Sequence, residues 1–406
     1  MAKLKAHSEQ YHLDIKFGSD KSSTTRLSKF YNPIDEMYII QDINRFLPTF
    51  RLKIQDVGGY YSNLFPYDKK QNKINVTFNR DRDIEGAANF DFDVYRRFPS
   101  SDFLYDIEGV LQINNFFKPS KIRGFSGLIS DTLSTIADEL GATSTDISPS
   151  LKYEKKIIQT YQSNSELLQY LRDNLLGIQN TAPYFCYITY KDVGRGIEKV
   201  FVFKSLDEFY KQKVKYTFSD SPTAVYDKKF KIIYYPILDF KAYDNYKLLE
   251  TSGSQKLDYS HFNYTTDLYE MNSVDVDDYY SLTRYFSINQ DNTEDNSGSL
   301  NVGRSNDFSS DFQGKSKGMF YKKINDLSKF WITTWGLEDI YPGDIVRLQF
   351  FENTLNMLSY QYHGFWMVER IVHTLGQAFG TRLLLTRNGV NTIEDTMLKE
   401  ATNRKK

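Results

Sequence analysis

The chain has 406 residues, 40% apolar and 25% charged, with 51 basic against 52 acidic side chains. It is too long for one ordinary core, and its composition excludes a disordered or collagen-like chain. A net charge of −1 gives no clustered basic face, so no sequence-specific nucleic-acid binding is expected. The single cysteine, Cys186, excludes an intrachain disulfide and a cysteine-rich metal centre. No apolar run approaches the roughly 18 residues of a membrane span, and the basic start Met1–Asp20 lacks the apolar stretch of a signal peptide. The 31 Tyr and 30 Phe are read as core and interface residues.

From about Ile34 to Ile113 the text is almost all strand-like. FLPTFRLKIQDV alternates into a Gly58-Gly59 turn, KINVTFN alternates after Asp68-Lys69-Lys70, and FDFDVYRRF and GVLQINNFF follow. The character changes at Lys118-Pro119. Leu128, Ile129, Leu133, Ile136, Ala137 and Leu140 fall on one helical stripe, with Ser126 expected to cap its start and Gly141 its end. A second helix is better marked: Ser163 and Glu166 form a capping box, Leu167, Leu168, Leu171 and Leu175 form the stripe, and Gly177 is expected to end it. PYFCYITYKDVGRGIEKVFVFKS then reads as a β-hairpin with Gly194 and Gly196 in the turn.

KYTFSD and KIIYYPILDF, within 213–245, return to strand, whereas 250–325 is polar and weakly patterned, with DNTEDNSGSLNVGRSND a long loop. The segment from Trp335 to Asn388 is the most informative. Gly336 opens a polar stretch, and Pro342-Gly343 fits a type II turn, with proline pre-setting one φ and glycine supplying the positive one. A strand with Ile345, Val346, Arg347 and Leu348 follows. From Gly364 to Thr374 the pattern has period two, with Trp366, Val368, Arg370 and Val372 on one face. Phe365, Met367, Glu369, Ile371 and His373 take the other. Tandem strands joined by short turns read as a small β-barrel. The tail after Asn391 reads as a frayed helix.

The chemical candidates fail on spacing. Gly314-Lys315-Ser316 ends a phosphate-loop-like phrase, but Ser309 stands where its first glycine belongs. Gly124-Phe125-Ser126-Gly127 opens like a nucleophile elbow, yet Leu128 occupies the closing glycine position. His363, Glu369 and His373 share a strand face, but such neighbours lie roughly 20 and 13 Å apart, beyond one zinc ion. Cys186 sits among Phe185, Tyr187 and Ile188 as a small buried hydrophobe, and Asp275, Asp277 and Asp278 read as solvated loop charges. No catalytic, cofactor or metal residue is expected.

The order Gly336, Pro342-Gly343-Asp344, strand, Gly364-aromatic-x-Val368, Val372-His373, Thr381-x-Leu383-x-Leu385, Arg387-Asn388-Gly389 resembles the C-terminal barrel of a known family. It is that of the central hub proteins of contractile phage tails, related to the base of type VI secretion spikes. A second stretch resembles it independently, Thr160 to Leu168 followed by Val200-Phe201-Val202-Phe203. The resemblance implies a mainly β fold: two small antiparallel β-barrels with an intermediate α/β domain. Residues 1–29 would be an N-terminal extension, 30–117 the first barrel and 118–211 the α/β insertion. Residues 212–246 and 326–392 would form the second barrel, 247–325 a polar insertion packing with the intermediate domain, and 393–406 a tail. The motif residues would be Ser163, Glu166, Gly177, Gly336, Pro342, Gly343, Gly364, Val368 and His373, all structural.

The implied role is a homotrimer in the virion's tail baseplate, assembled in the host cytoplasm without cofactors. Its partners would be the central spike protein, the tail tube protein, the tape measure protein and other baseplate proteins. Two alternatives stay open: the hub of a contractile injection particle or secretion system, and a carbohydrate-binding or depolymerising tail protein. The second would need aromatic platforms with paired carboxylates, and the chain has 3 Trp and no such motif.

Overall fold

The computed structural model describes residues 12–17, 25–26, 34–55, 73–79, 88–101, 104–118, 122–178, 181–193, 197–220, 225–227, 232–244, 256–263, 268–275, 302–303, 328–350, 362–376 and 378–387, with a few positions between 314 and 326. Seven strands come first: β1 (His12–Phe17), β2 (Thr25–Arg26), β3 (Ile34–Asp42), β4 (Thr49–Gln55), β5 (Lys73–Asn79), β6 (Ala88–Ser101) and β7 (Leu104–Leu111). They lie in the order β3-β4-β7-β6-β5-β1-β2, every pair antiparallel. Period-two patterning makes them strands: Phe50, Leu52 and Ile54 of β4 are buried while Arg51 and Gln55 face outward. Ile74, Val76 and Phe78 of β5 do the same, and Phe50 meets Phe92 of β6 at 4.6 Å between ring centroids. The expected strand from Gly109 to Phe117 stops at Leu111. Beyond it the chain is irregular, and Asn115 takes a positive φ of 52°. Gly58-Gly59 and Asp68–Lys70 lie outside the described residues.

The mixed segment holds β8 (Arg123–Phe125), α1 (Ile129–Leu140), β9 (Ser144–Ile147), β10 (Ile157–Gln159), α2 (Asn164–Asn174), β11 (Tyr184–Asp192), β12 (Ile197–Ser205) and α3 (Leu206–Tyr210). Helix α1 buries the expected stripe and ends on Gly141 at φ 74°. Ser126 does not cap it. The chain stays extended through β8, so the cap position falls on Leu128, which offers no side-chain bond, and the Ile129 amide donates to the Tyr153 carbonyl instead, at 3.1 Å. The capping box of α2 is present: Glu166 N–H donates to Ser163 Oγ at 3.3 Å, and Ser163 N–H donates to the Glu166 carboxylate at 2.7 Å. That helix stops at Asn174 with an extended Leu175 as its cap, so Gly177 does not terminate it. Gly177 is a packing glycine: a Cβ there would lie 2.0 Å from Tyr184 Oη and 2.3 Å from Thr181 Oγ1.

Strands β11 and β12 form the expected hairpin, with β9 added parallel to β12; Gly194 and Gly196 lie outside the described residues. The buried side chains of this segment run without a break into those of the first seven strands. Leu133, Ile136, Leu168, Phe201 and Phe203 share one core with Phe50, Phe78, Phe92 and Ile107.

Next come β13 (Val214–Ser219), β14 (Val225–Asp227), β15 (Ile232–Pro236) and β16 (Asp239–Asp244). The polar stretch, read as weakly patterned, contains β17 (Lys256–Asn263) paired antiparallel to β18 (Leu268–Asp275) and parallel to β19 (Val302–Gly303). The rest of its long loop, and Ser309, Ser316, Asp277 and Asp278, lie outside the described residues, as does the tail after Asn391. The last strands are β20 (Ser328–Trp335), β21 (Ile345–Gln349), β22 (Gly364–Leu375) and β23 (Gly380–Arg387).

Among the described residues these strands give the order β14-β15-β13-β21-β22-β23-β20-β16. The fold is mainly β with a small helical segment, but this group is not purely antiparallel: β13 runs parallel to both β15 and β21. Strand β22 also pairs with β3, from Arg370↔Asp42 to Leu375↔Met37, so both groups belong to one fifteen-stranded sheet. The expected alternation along β22 breaks at Glu369. The register against β23 shifts between Val368 and Arg370, a bulge that inserts one residue and reverses the faces. Trp366, Val368 and Ile371 therefore enter the same core as Phe330 and Leu385, while Arg370 and Val372 are half-buried.

Candidate assembly interface

The turn before β21 is where three parts of the chain meet. Gly343 has φ 87°, and Asp344 N–H donates to the Tyr341 carbonyl at 3.1 Å, closing the Pro342-Gly343 turn. The Asp344 carboxylate accepts from Tyr341 N–H at 2.9 Å. Val368 seats the turn on β22, accepting from Gly343 N–H at 2.7 Å and donating to the Asp344 carbonyl at 2.9 Å. From the mixed segment, Tyr187 donates its hydroxyl to the Pro342 carbonyl at 2.5 Å, and Asp192 N–H donates to Tyr341 Oη at 3.1 Å. Phe209 of α3 fills the space beside Gly343, where a Cβ would lie 2.3 Å from its ring. Phe185, Tyr187, Val202, Phe209, Ile345 and Met367 make the apolar floor. Burial pushes the Asp344 carboxyl up to about 6, although Lys215, the Tyr341 amide and Lys191 pull the other way.

A second joint lies where β22 meets β3. Arg370 Nε donates to Asp42 at 2.6 Å, and the buried Glu369, placed inward by the bulge, accepts from Lys329 at 3.0 Å and Asn44 at 3.3 Å. Burial raises the Glu369 carboxyl, with Lys329 opposing it. These partners lie where the two strand groups join, and a buried charge is tolerated where its counter-charge is held.

Two other motif residues converge on one ring. A Cβ at Gly336 would lie 2.2 Å from the Phe379 ring, and His373 is wedged between Phe379 and Phe78, at 5.9 and 5.3 Å between centroids. Burial lowers the His373 imidazole to about 3, so it is a neutral packing residue. Gly364 starts β22 at φ 118°. Pro342, Gly343, Gly364 and Val368 thus belong to β22 and the turn on it, while Ser163, Glu166 and Gly177 belong to α2 and the loop after it. Sequence reading did not single out Phe209 or Asp42, and it gave Tyr187 and Glu369 no partner, because the partners are remote and carry no local signal.

Two residues of the rejected motifs have structural surroundings. A Cβ at Gly314 would meet the Asn174 carbonyl at 2.4 Å, so this glycine packs on the end of α2. The Cys186 thiol is fully buried and its acidity suppressed. Among the described residues no group of three His, Cys, Asp or Glu could hold a metal ion, and no helix is long and apolar enough to cross a membrane. What the surface does offer is sheet edge. Among the described residues β16 pairs only with β20 and β14 only with β15, and Tyr226, Leu238 and Phe240 stand exposed along these edges.

No protein-family model matches the sequence, and no curated protein sequence matches it. Solved structures do match. The tail protein from Neisseria meningitidis MC58 aligns with a TM-score of 0.57 at 12% identity, covering 94% of this chain and 97% of that one. The chain has the fold of phage tail proteins. The 43 kDa tail protein of prophage MuSo2 from Shewanella oneidensis aligns at 0.53 and 10% identity, covering 93% and 98%. A chain of the half-lidded Francisella PdpA–VgrG complex aligns at 0.51 and 10% identity, covering 94% of this chain and 59% of that one. The expected likeness to phage tail and spike-base proteins therefore extends to the fold over most of the chain.

Proposed function

We propose that this protein is a structural baseplate hub of a phage tail, a homotrimeric adaptor that joins a hexameric tail tube to a trimeric central spike. The observation that carries the reading is the pairing of β22 with β3, which joins the two strand groups in one sheet. The first group would be barrel one, residues 30–117. The second, 212–246 with 326–392, would be barrel two. Three chains around a threefold axis, with barrels one and two alternating, present six similar surfaces to the tube and three chains to the spike. The open edges at β14 and β16 give such a ring strands to bury, and an obligate assembly needs large interfaces of this kind. The shared lumen would pass the tape measure and the genome, and the role needs no catalysis and no cofactor.

The reading is tested by labelling the chain in purified tails and reconstructing them. It expects the label at the tube's spike-proximal end with three copies per tail. A label elsewhere, or intact tails formed without this chain, would contradict it. A second reading, the hub of an injection particle without a genome, is favoured by the alignment with the PdpA–VgrG chain, and is separated by whether the purified particles carry capsids.

A further inference from the structure

The ribbon made by β8 and β10 is a sheet of its own, with Ile157↔Phe125, Ile158↔Gly124 and Gln159↔Arg123 in register. Its inner face is committed: Ile157 enters the main core, and Gln159 accepts from Arg123 at 2.6 Å. Its outer face is bare. Exposure alternates along Lys152, Glu154, Lys156, Ile158 and Thr160, a stripe with more basic than acidic residues. Ile158 is 69% exposed and Ile122, one pleat along from Gly124, is 56% exposed, so the two isoleucines lie diagonally on that face. A Cβ at Gly124 would meet nothing within 4 Å, which leaves open space beside Ile158.

Two exposed aromatic residues stand near the start of α2, which follows β10 in the chain. Tyr161 is 76% exposed and held at a positive φ of 50°, a conformation that L residues other than glycine rarely adopt. Phe117 is 72% exposed, and the Phe116 carbonyl accepts from Ser165 N–H, which sets Phe117 beside the first turn of the helix that Tyr161 leads into. Lys118 beside Phe117 and Lys156 beside Ile158 are exposed and make no ion pair among the described residues. Phe117 packs edge-on against the buried Phe116 at 4.7 Å between ring centroids yet leaves most of its ring in water, as Tyr161 does, and exposed apolar groups of this kind mark interaction surfaces.

We infer that this face docks an extended segment of another tail polypeptide, in which apolar side chains alternate with acidic ones. The ribbon's outer edges have no backbone partner among the described residues, so a third strand adds there by main-chain hydrogen bonding. Its apolar side chains cover Ile122 and Ile158, and its carboxylates reach Lys118 and Lys156. The inference rests on the tail reading above only for where the partner is sought.

The test places a photo-crosslinking benzoylphenylalanine at Ile158 in purified tails, with Tyr95 on β6, 62% exposed, as the control position. Illumination should join position 158 to one other tail polypeptide through a peptide of alternating apolar and acidic residues. Lys118→Glu with Lys156→Glu should lower the adduct several-fold, and raised salt should lower it too. The substituted side chains are exposed, so the melting temperature of the purified chain should not move. Adducts only with further copies of this chain, or none while its peptides are present in the tails, overturn the inference. Absence of the chain from the tails instead overturns the tail reading, and the docking partner with it.

Discussion

The hydroxyl of Tyr187 donates to the carbonyl of Pro342 at 2.5 Å, between residues 155 apart in sequence. Both groups are buried, and this bond, together with that from Asp192 N–H to Tyr341 Oη, holds the β11–β12 hairpin on the turn that opens β21. Tyr187→Phe removes the donor and leaves a buried carbonyl without a partner, which should cost about 1–3 kcal/mol. A denaturant titration should show a lower midpoint with an unchanged slope. A variant as stable as the parent would mean that the hairpin is held by its apolar contacts and the Asp192–Tyr341 bond.

Gly343 is constrained twice, by its φ of 87° and by Phe209 at 2.3 Å from where a Cβ would stand. Gly343→Val should destabilise the protein by about 2–4 kcal/mol, through backbone strain and displacement of the ring. Pairing it with Phe209→Ala should restore none of the strain, so the double variant should stay less stable than Phe209→Ala alone. Equal melting of those two proteins would show that the turn tolerates a side chain.

Asp344 should give the protein a pH-dependent stability. Its carboxyl sits at about 6 in the fold against an ordinary 3.8, because burial disfavours the charge. The folded state holds the proton more tightly, so this contribution is full below about pH 4 and is lost as pH rises through about 6. Asp344→Asn keeps an oxygen for the Tyr341 amide and removes the charge, so its stability relative to the parent should rise by about 1–3 kcal/mol between pH 4 and 7. Parallel melting curves across that range would rule out a buried ionising Asp344.

His373 acts on the acid side. Its imidazole is lowered from an ordinary 6.5 to about 3 by burial alone. The unfolded chain takes up the proton first, so stability is full above about pH 6.5 and falls as pH drops toward 3. His373→Gln should flatten this acid limb while leaving the neutral-pH slope from Asp344 in place. An unchanged acid limb would assign it to other groups.

Where one strand face is buried and the other more open, the strands were legible as sequence: β4 and β5 follow period two, and the capping box of α2 stands where Ser163 and Glu166 place it. The failures have a common physical origin. Glu369 reverses the faces of β22 because that strand changes partners at the bulge, and the reason lies on β3, more than three hundred residues earlier. Ser126 lost the helix start to a carbonyl from Tyr153. Gly177 is a glycine for the sake of the Tyr184 hydroxyl. The parallel placement of β13 beside β15 and β21, and of β19 beside β17, depends on crossovers that no local pattern encodes.

The hub account makes its most direct claim about copy number. Each chain is 47.5 kDa, and three chains closing a ring of alternating barrels should give a particle of about 142 kDa. Light scattering on the purified protein, alone and with its spike partner, measures that mass without reference to any contact described above. A mass near three chains, with threefold averages showing six barrel-sized densities at one end, is the result the account predicts; a monomer or dimer in both samples would contradict it.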